Sequence, residues 1–126
     1  MPEDYIAFGD DSYGGLGDYF KLQQLYEEVE QTIEELRKFE YQAAEHERQY
    51  RMLVSAKTAS ERMKGTPVTV ISDLVRGEGP IAAAKLEWQK AEADAKAAQH
   101  QIFLAKDKMT MLTEIIKHEM YRPSNG

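Results

Sequence analysis

Two long stretches of the chain contain almost no helix-breaking residue, and this constrains the fold more than any other feature. Residues 19–64 contain neither glycine nor proline, and residues 80–121 contain only Pro80, at their start. Proline is tolerated in the first turn of a helix, where its missing N–H has no intrahelical acceptor. The sequence therefore predicts helices at 19–64 and 80–121, with Asp18 as the N-cap of the first and Gly65 just beyond its end.

Both stretches place mainly apolar residues at the a and d positions of a heptad repeat. In the first stretch these positions are Leu22, Leu25, Val29, Thr32, Leu36, Phe39, Ala43, His46, Tyr50, Leu53, Lys57 and Ser60. In the second they are Ile81, Ala84, Trp88, Ala91, Ala95, Ala98, Ile102, Ala105, Met109, Leu112, Ile116 and Glu119. The pattern predicts an all-α fold, a long antiparallel helical hairpin (coiled coil), as the single domain at 19–122.

An antiparallel pairing about the middle of the connecting segment places opposite each other residues whose numbers add up to about 145. Tyr50 then lies opposite Ala95, so that a bulky side chain meets a small one. Charge favours the same orientation, because residues 26–47 hold eight acids and two bases, and residues 96–122 hold five bases and three acids. We therefore expect ion pairs between the two helices.

The connecting segment, GTPVTVISDLVRGEG at 65–79, is longer than a helix–helix connection needs. Its β-branched residues and Pro67 predict a partly extended loop. As an exposed strand, it could add to the edge of a partner's sheet. The candidate partner-binding residues of this loop are Val68, Val70, Ile71 and Arg76. The alternative is that its apolar residues fold over the end of the hairpin as a plug.

The N-terminal segment 1–18 is acidic and aromatic, and it has four glycines and no sustained periodicity. Its charged residues are Glu3, Asp4, Asp10, Asp11 and Asp18, and none is basic. This composition predicts a flexible acidic tail. Residues 123–126 are predicted to form a short C-terminal tail. Aromatic residues in such a segment suit binding to a basic, apolar groove. The candidate partner-binding residues are Tyr5, Phe8, Tyr13, Tyr19 and Phe20; the alternative is that the aromatic residues are incidental.

The second helix carries a second apolar stripe outside its heptad seam. The large members of this stripe are Leu86, Phe103, Leu104, Met111 and Ile115. A helix that is apolar on two sides is usually covered on both. The stripe therefore predicts self-association, as a homo-oligomer, or docking on a larger protein. The alternative is that the N-terminal tail folds back over it.

Few residues offer catalytic or metal chemistry. The chain has no cysteine, and its three histidines lack the spacing of a helical metal site. The acidic run EEVEQTIEEL could hold Mg²⁺ only with a second acidic set opposite, where the sequence has Lys106, Lys108 and Lys117 instead. No glycine-rich phosphate loop is present. We expect no enzymatic activity, no metal and no cofactor.

The net charge of −6, most of it in the N-terminal tail, disfavours direct binding of nucleic acid. The chain has neither a secretory signal nor a membrane span, so we expect a soluble, cytoplasmic protein. The predicted function is that of a non-enzymatic protein–protein interaction module, an adaptor or accessory subunit that self-associates or docks on a larger assembly. An alternative is a small acidic inhibitor, of a kind a phage could encode, that occupies a nucleic-acid-binding surface of a host enzyme.

Overall fold

The computed structural model describes residues 16–120, the side chain of Leu16 excepted, and within this range all regular structure is helical. The helices are α1, Leu16–Met63, α2, Val68–Gly77, and α3, Gly79–Met120. The all-α prediction is therefore confirmed. Most of the predicted tail, residues 1–15, and the C-terminal residues 121–126 lie outside the described part of the chain.

The chain divides into two compact units. Unit 1 combines Met1–Glu34 with Ala98–Gly126, and unit 2 is Glu35–Ala97. Within unit 2, α1 and α3 pack against each other and α2 joins them, which is a helical hairpin. Within unit 1, the start of α1 packs against the end of α3, where the Tyr19 hydroxyl approaches Met120 Sδ at 3.9 Å. The two long helices are antiparallel in both units, and the hairpin prediction is confirmed.

The first helix begins three residues before the predicted start. Asp18 consequently lies in the first turn and is not the N-cap; a carboxylate there still interacts favourably with the helix dipole. The predicted C-terminal glycine is confirmed. Gly65 has a φ of +80°, its N–H donates to the Arg62 carbonyl at 3.0 Å, and the Thr66 N–H donates to the Glu61 carbonyl at 3.0 Å. This pair of bonds is a Schellman motif, which satisfies the last carbonyls of α1.

The prediction of a partly extended loop at 65–79 is wrong, because Val68–Gly77 is an α-helix. Pro67, with φ −58°, precedes the helix, and its carbonyl accepts hydrogen bonds from Val70 and Ile71 at 2.9 and 3.1 Å. An isolated strand would leave its backbone groups without partners, whereas a helix pairs them internally. The spacing of Val68, Ile71 and Val75 also gives the segment one apolar helical face, which outweighs the weak β-propensity of its residues.

The third helix begins at Gly79, so Pro80 occupies its second position rather than its first. The Glu78 carbonyl accepts the first helical hydrogen bond, from Ala82 at 2.9 Å. Pro80 remains within the first turn, where an N–H has no intrahelical acceptor in any case. The helix therefore tolerates Pro80 without a kink.

The predicted seam of α3 is confirmed, since all twelve of its predicted a and d residues are buried or half-buried. In α1 the prediction is confirmed from Leu22 to Tyr50 and at Lys57. Beyond Tyr50, Leu53 and Ser60 are exposed, and Val54 and Glu61 are covered in their place. The reason is that α2 also lies beside this part of α1. The α1 residues that line the groove between α1 and α2 are Tyr50, Val54, Thr58 and Arg62. The end of α1 therefore has two neighbours, α2 and α3.

The predicted register is wrong by seven residues. Tyr50 packs on Trp88, with ring centroids 5.6 Å apart, so paired numbers add up to 138 rather than about 145. The slip equals one heptad, and the same positions therefore stay in the seam. Because α2 packs against the end of α1, α3 starts opposite residues inside α1 rather than beyond Met63.

The positive φ of Gly65 predicts that Gly65→Ala destabilises the protein by about 1–2 kcal/mol, since a Cβ is strained in the left-handed region. A Cβ at this position meets no atom within 4 Å, so the conformation alone is responsible. The matched control is Gly77→Ala, which also meets nothing within 4 Å and has no positive φ. It should be neutral or stabilising by up to about 1 kcal/mol. Urea unfolding followed by circular dichroism measures both; equal losses would contradict the assignment.

Candidate interaction surfaces

In unit 1, α1 and α3 leave an open groove along one side of their seam. We name its apolar part the tail-side groove; it has a volume of about 260 Å³ and is lined by Lys21, Leu25, Lys108, Met111, Leu112 and Ile115. A more polar part of about 340 Å³ is lined by Leu25, Glu28, Gln31, Thr32, Gln101, Leu104, Ala105 and Lys108. The two parts share Leu25 and Lys108, so they are neighbouring regions of one surface.

The second apolar stripe found in the sequence lies on α3, and we name it the α3 stripe; it is exposed throughout. Its members Leu86, Phe103, Leu104, Met111 and Ile115 are between 43% and 64% exposed. Leu86 belongs to unit 2 and the other four belong to unit 1. Leu104, Met111 and Ile115 also line the unit 1 groove. No described residue of this chain covers the stripe, and its role in association remains a prediction.

The predicted partner-binding residues of the N-terminal segment are only partly described. Tyr5, Phe8 and Tyr13 lie outside the described residues. Tyr19 and Phe20 lie in the first turns of α1, and both are exposed. Both residues lie within the predicted helix 19–64, whereas residues 16–18, predicted as part of the flexible tail, also belong to α1.

The predicted loop residues occupy different environments on α2. Ile71 is buried, at 5% exposure, whereas Val68 is 75% exposed and Val70 is also exposed. The Arg76 guanidinium donates to the Ser72 hydroxyl at 3.0 Å and lies 3.9 Å from Asp73. Because the backbone of this segment is helical, it has no free edge for strand addition, and the proposed pairing with a partner's sheet is overturned. Of the apolar residues of this segment, Ile71 is buried and Val75 is half-buried, and the plug alternative remains a prediction.

Between α1 and α2 in unit 2 lies an open groove of about 380 Å³. It is lined by Tyr50, Val54, Thr58, Arg62, Val68, Ile71, Ser72, Val75 and Arg76. Its floor is apolar and its charged lining residues are the two arginines. This groove exists only because the connecting segment is helical, and the extended prediction therefore missed it.

Sequence reasoning also missed a cluster of charged and polar side chains around the Glu61 carboxylate, near the end of α1. Glu61 is buried, at 6% exposure. Its carboxylate accepts a hydrogen bond from the Thr66 hydroxyl at 2.9 Å and from Lys64 Nζ at 3.3 Å, and Lys57 Nζ lies at 3.5 Å. The Thr66 hydroxyl, followed by Lys64, lowers the pKa of the Glu61 carboxyl below its ordinary value. The spacing of Lys57 and Glu61, one helical turn apart, was the available signal.

A second missed feature is the environment of the single tryptophan. The Trp88 ring packs on Tyr50, and the Arg51 guanidinium carbon lies 5.7 Å from its centroid. Arg51 is held in place by Glu47, which accepts from Nε at 2.8 Å. The seam position of Trp88 was predictable, but its partners depended on the register, which was not.

His46 lies in the sequence between Glu45 and Glu47, and both carboxylates form ion pairs with arginines. Glu45 pairs with Arg48 at 2.6 Å and Glu47 pairs with Arg51 at 2.8 Å. The hydrogen bond from Arg48 lowers the pKa of the Glu45 carboxyl. Among residues 16–120, no group of three or more His, Asp or Glu side chains is arranged to hold a metal ion.

The expected ion pairs between α1 and α3 are missing at several positions. Across the described part of the chain, the exposed Glu27, Glu28, Glu30, Lys106 and Lys108 form no ion pair, while Lys117 pairs with Glu114 of its own helix at 3.8 Å. Exposed pairs gain little because water solvates both charges and two long side chains must be ordered. Ion pairs between α1 and α3 therefore contribute less to the antiparallel orientation of these helices than we expected from the charge pattern of the sequence.

No protein-family model, curated protein or solved structure matches the chain. Of the three described helices, none has the combination of length and apolarity needed to cross a bilayer.

The lowered pKa of Glu61 predicts a pH-dependent stability difference between the wild type and Glu61→Gln. A carboxyl whose pKa is lower in the folded state stabilises it above the unfolded-state pKa of about 4.3, and this contribution is lost as the pH falls through the folded-state pKa. The melting temperature of the wild type should therefore exceed that of the variant at neutral pH, and the difference should close in acid.

The matched control repeats this comparison in a Thr66→Val background, which removes the main hydrogen bond to the carboxylate. The difference caused by Glu61→Gln should be smaller there, as in a double-mutant cycle. A difference between wild type and Glu61→Gln that does not change with pH would contradict the role given to the carboxylate.

Proposed function

We propose that the chain is a non-enzymatic protein–protein interaction module of the cytoplasm, an adaptor or accessory subunit whose two long helices form a coiled coil and which self-associates through the α3 stripe. The observation that carries the proposal is the exposure of Leu86, Phe103, Leu104, Met111 and Ile115 on a helix whose other side is already in the seam. In a related form of this function, the chain docks on a larger protein through the same stripe instead of on a second copy of itself.

The energetic argument concerns the four stripe residues of unit 1. Burying one large apolar side chain contributes roughly 1.5–3 kcal/mol relative to leaving it in water. Contiguous apolar surface of this kind marks interaction sites on soluble proteins. A second helical hairpin packed on the stripe would give a four-helix arrangement, in which each α3 is covered on two sides.

The open shape of the grooves and the causes of the shifted pKa values also support a binding role. Active sites combine a cleft with titratable groups that are perturbed by burial and by specific partners. Here the lowered carboxyl pKa values of Glu45 and Glu61 follow mainly from hydrogen bonds to neighbours five residues away or fewer. Local helix-surface contacts of this kind need no catalytic explanation.

Leu104→Glu is the test of self-association. The wild type should have a mass of two or more 14.4 kDa chains by size-exclusion chromatography with light scattering. A carboxylate placed in the interface should cost at least about 2 kcal/mol, which is a roughly 30-fold weaker association. The control, Gln24→Glu, adds the same charge at an exposed residue of α1 that lines neither part of the unit 1 groove, and it should leave the mass unchanged. A monomeric wild type, or equal effects of both variants, would overturn self-association through the stripe.

The second candidate function is an acidic inhibitor, such as one encoded by a phage, that occupies a nucleic-acid-binding surface. It is favoured by the exposed carboxylates Glu27, Glu28, Glu30, Glu35 and Glu40 of α1, which have no ion-pair partner among the described residues. Unpaired carboxylates on one helix could stand in for phosphates on a basic surface.

For this second function, we expect binding to a basic partner to weaken strongly between roughly 0.1 and 1 M salt, because the Debye length falls from about 10 to 3 Å. The triple substitution of Glu27, Glu28 and Glu30 by Gln should weaken binding further, whereas Glu114→Gln, on α3, should not. Isothermal titration at several salt concentrations measures this. Affinity that persists in high salt would contradict phosphate mimicry.

A further inference from the structure

The tail-side groove of unit 1 has an apolar floor and a basic rim. Leu25 and Leu112 form buried parts of it, while Met111 and Ile115 remain exposed at its side. Its only charged lining residues are lysines, Lys21 on α1 and Lys108 on α3. An occupant that complements this surface has large apolar side chains next to carboxylates, and little or no positive charge.

Residues 1–15 of the same chain have this chemistry. They contain the acids Glu3, Asp4, Asp10 and Asp11 and the apolar or aromatic residues Tyr5, Ile6, Phe8 and Tyr13, with no lysine or arginine. The tail-side groove and residues 1–15 are thus complementary in charge and in polarity. Electrostatic complementarity of this kind favours the correct partner and disfavours wrong ones.

The position of the segment in the chain makes the groove easy to reach. Residue 15 precedes the start of α1 at Leu16, and Lys21 and Leu25 follow on the same helix. These two residues lie about 8 and 14 Å along the helix axis from Leu16, at 1.5 Å per residue. A segment of fifteen residues can span up to about 50 Å when extended. Tethering at this distance gives an effective concentration in the millimolar range, which no free partner reaches easily.

We infer that residues 1–15 bind in the tail-side groove of their own chain. The apolar side chains of the segment cover Met111 and Ile115, and its carboxylates lie near Lys21 and Lys108. The segment and a second copy would share Met111 and Ile115, so self-association with the segment bound rests on Leu86, Phe103 and Leu104, which lie outside the tail-side groove. It gives the segment a defined place and limits the part of the α3 stripe that is open to another protein.

The methionine methyl groups provide the test. Isotope-labelled methionine gives separate NMR signals for Met111, in the groove, and for Met52 and Met63, in unit 2. Because the chain has no cysteine, Ser12→Cys allows one spin label to be attached within the segment. The label should broaden the Met111 signal and leave those of Met52 and Met63 sharp. Equal intensities for all three signals, with and without the label, would overturn the proposal.

A mixing experiment separates binding within one chain from binding between copies. Spin-labelled chains without isotope are mixed with isotope-labelled chains that carry no spin label. Both carry Leu104→Glu, outside the tail-side groove, so that association through the α3 stripe does not bring a label near Met111 of another copy. Binding within one chain predicts no broadening of Met111 in the mixture, whereas broadening there would show exchange of the segment between copies and overturn the proposal as stated. The chain mass, which tests self-association, is a separate measurement and can fail or succeed independently.

Two substitutions on α3 then test the role of charge. Lys108→Glu reverses a charge on the groove and should reduce the broadening of Met111 by the spin label at least several-fold. Lys106→Glu makes the same change in net charge at a residue that does not line the groove, and it should leave the broadening unchanged. Equal effects of the two variants would show that net charge, and not the groove, attracts the segment.

Discussion

The apolar seam between α1 and α3 is the contact on which the rest of the structure depends. Long helices gain most of their stability from packing of one face against a neighbour. Here five of the twelve seam residues of α3 are alanines, and Ala91 and Ala98 are among its most buried residues. Small side chains allow close approach, but they bury little area each. The remaining faces of both helices meet water, which is why grooves and exposed apolar residues are prominent in this protein.

The short helix α2 adds a second constraint at one end of unit 2. It buries Ile71 and covers the Tyr50–Val54 side of α1, so that this part of α1 packs against two helices instead of one. The Schellman motif at Gly65 and the bond between Thr66 and Glu61 fix the turn that leads into it. The start of α3 follows from this arrangement, and the register of the seam in unit 2 follows from the start of α3.

The sequence predicted the features that depend on periodicity and missed those that depend on packing between segments. The seam of α3 could be predicted in full because each residue, from Ile81 to Glu119, follows the same repeat. The register could not, since a slip of one heptad leaves every seam residue in the seam. The conformation of Val68–Gly77 was misjudged because β-branched residues also fit a helix, here one in which Ile71 is buried and Val75 is half-buried. The exposed α3 stripe was visible in the sequence, whereas the groove between α1 and α2 was not.

The setting of Trp88 has a spectroscopic consequence. It is the single tryptophan of the chain, it belongs to unit 2, and its ring packs on Tyr50 beside Arg51. Its fluorescence therefore reports on the packing of unit 2 alone, while the far-ultraviolet dichroism of the helices reports on both units. Coincident unfolding curves from the two signals would mean that the units unfold as one cooperative system. Separate curves would mean that each half of the two long helices melts on its own.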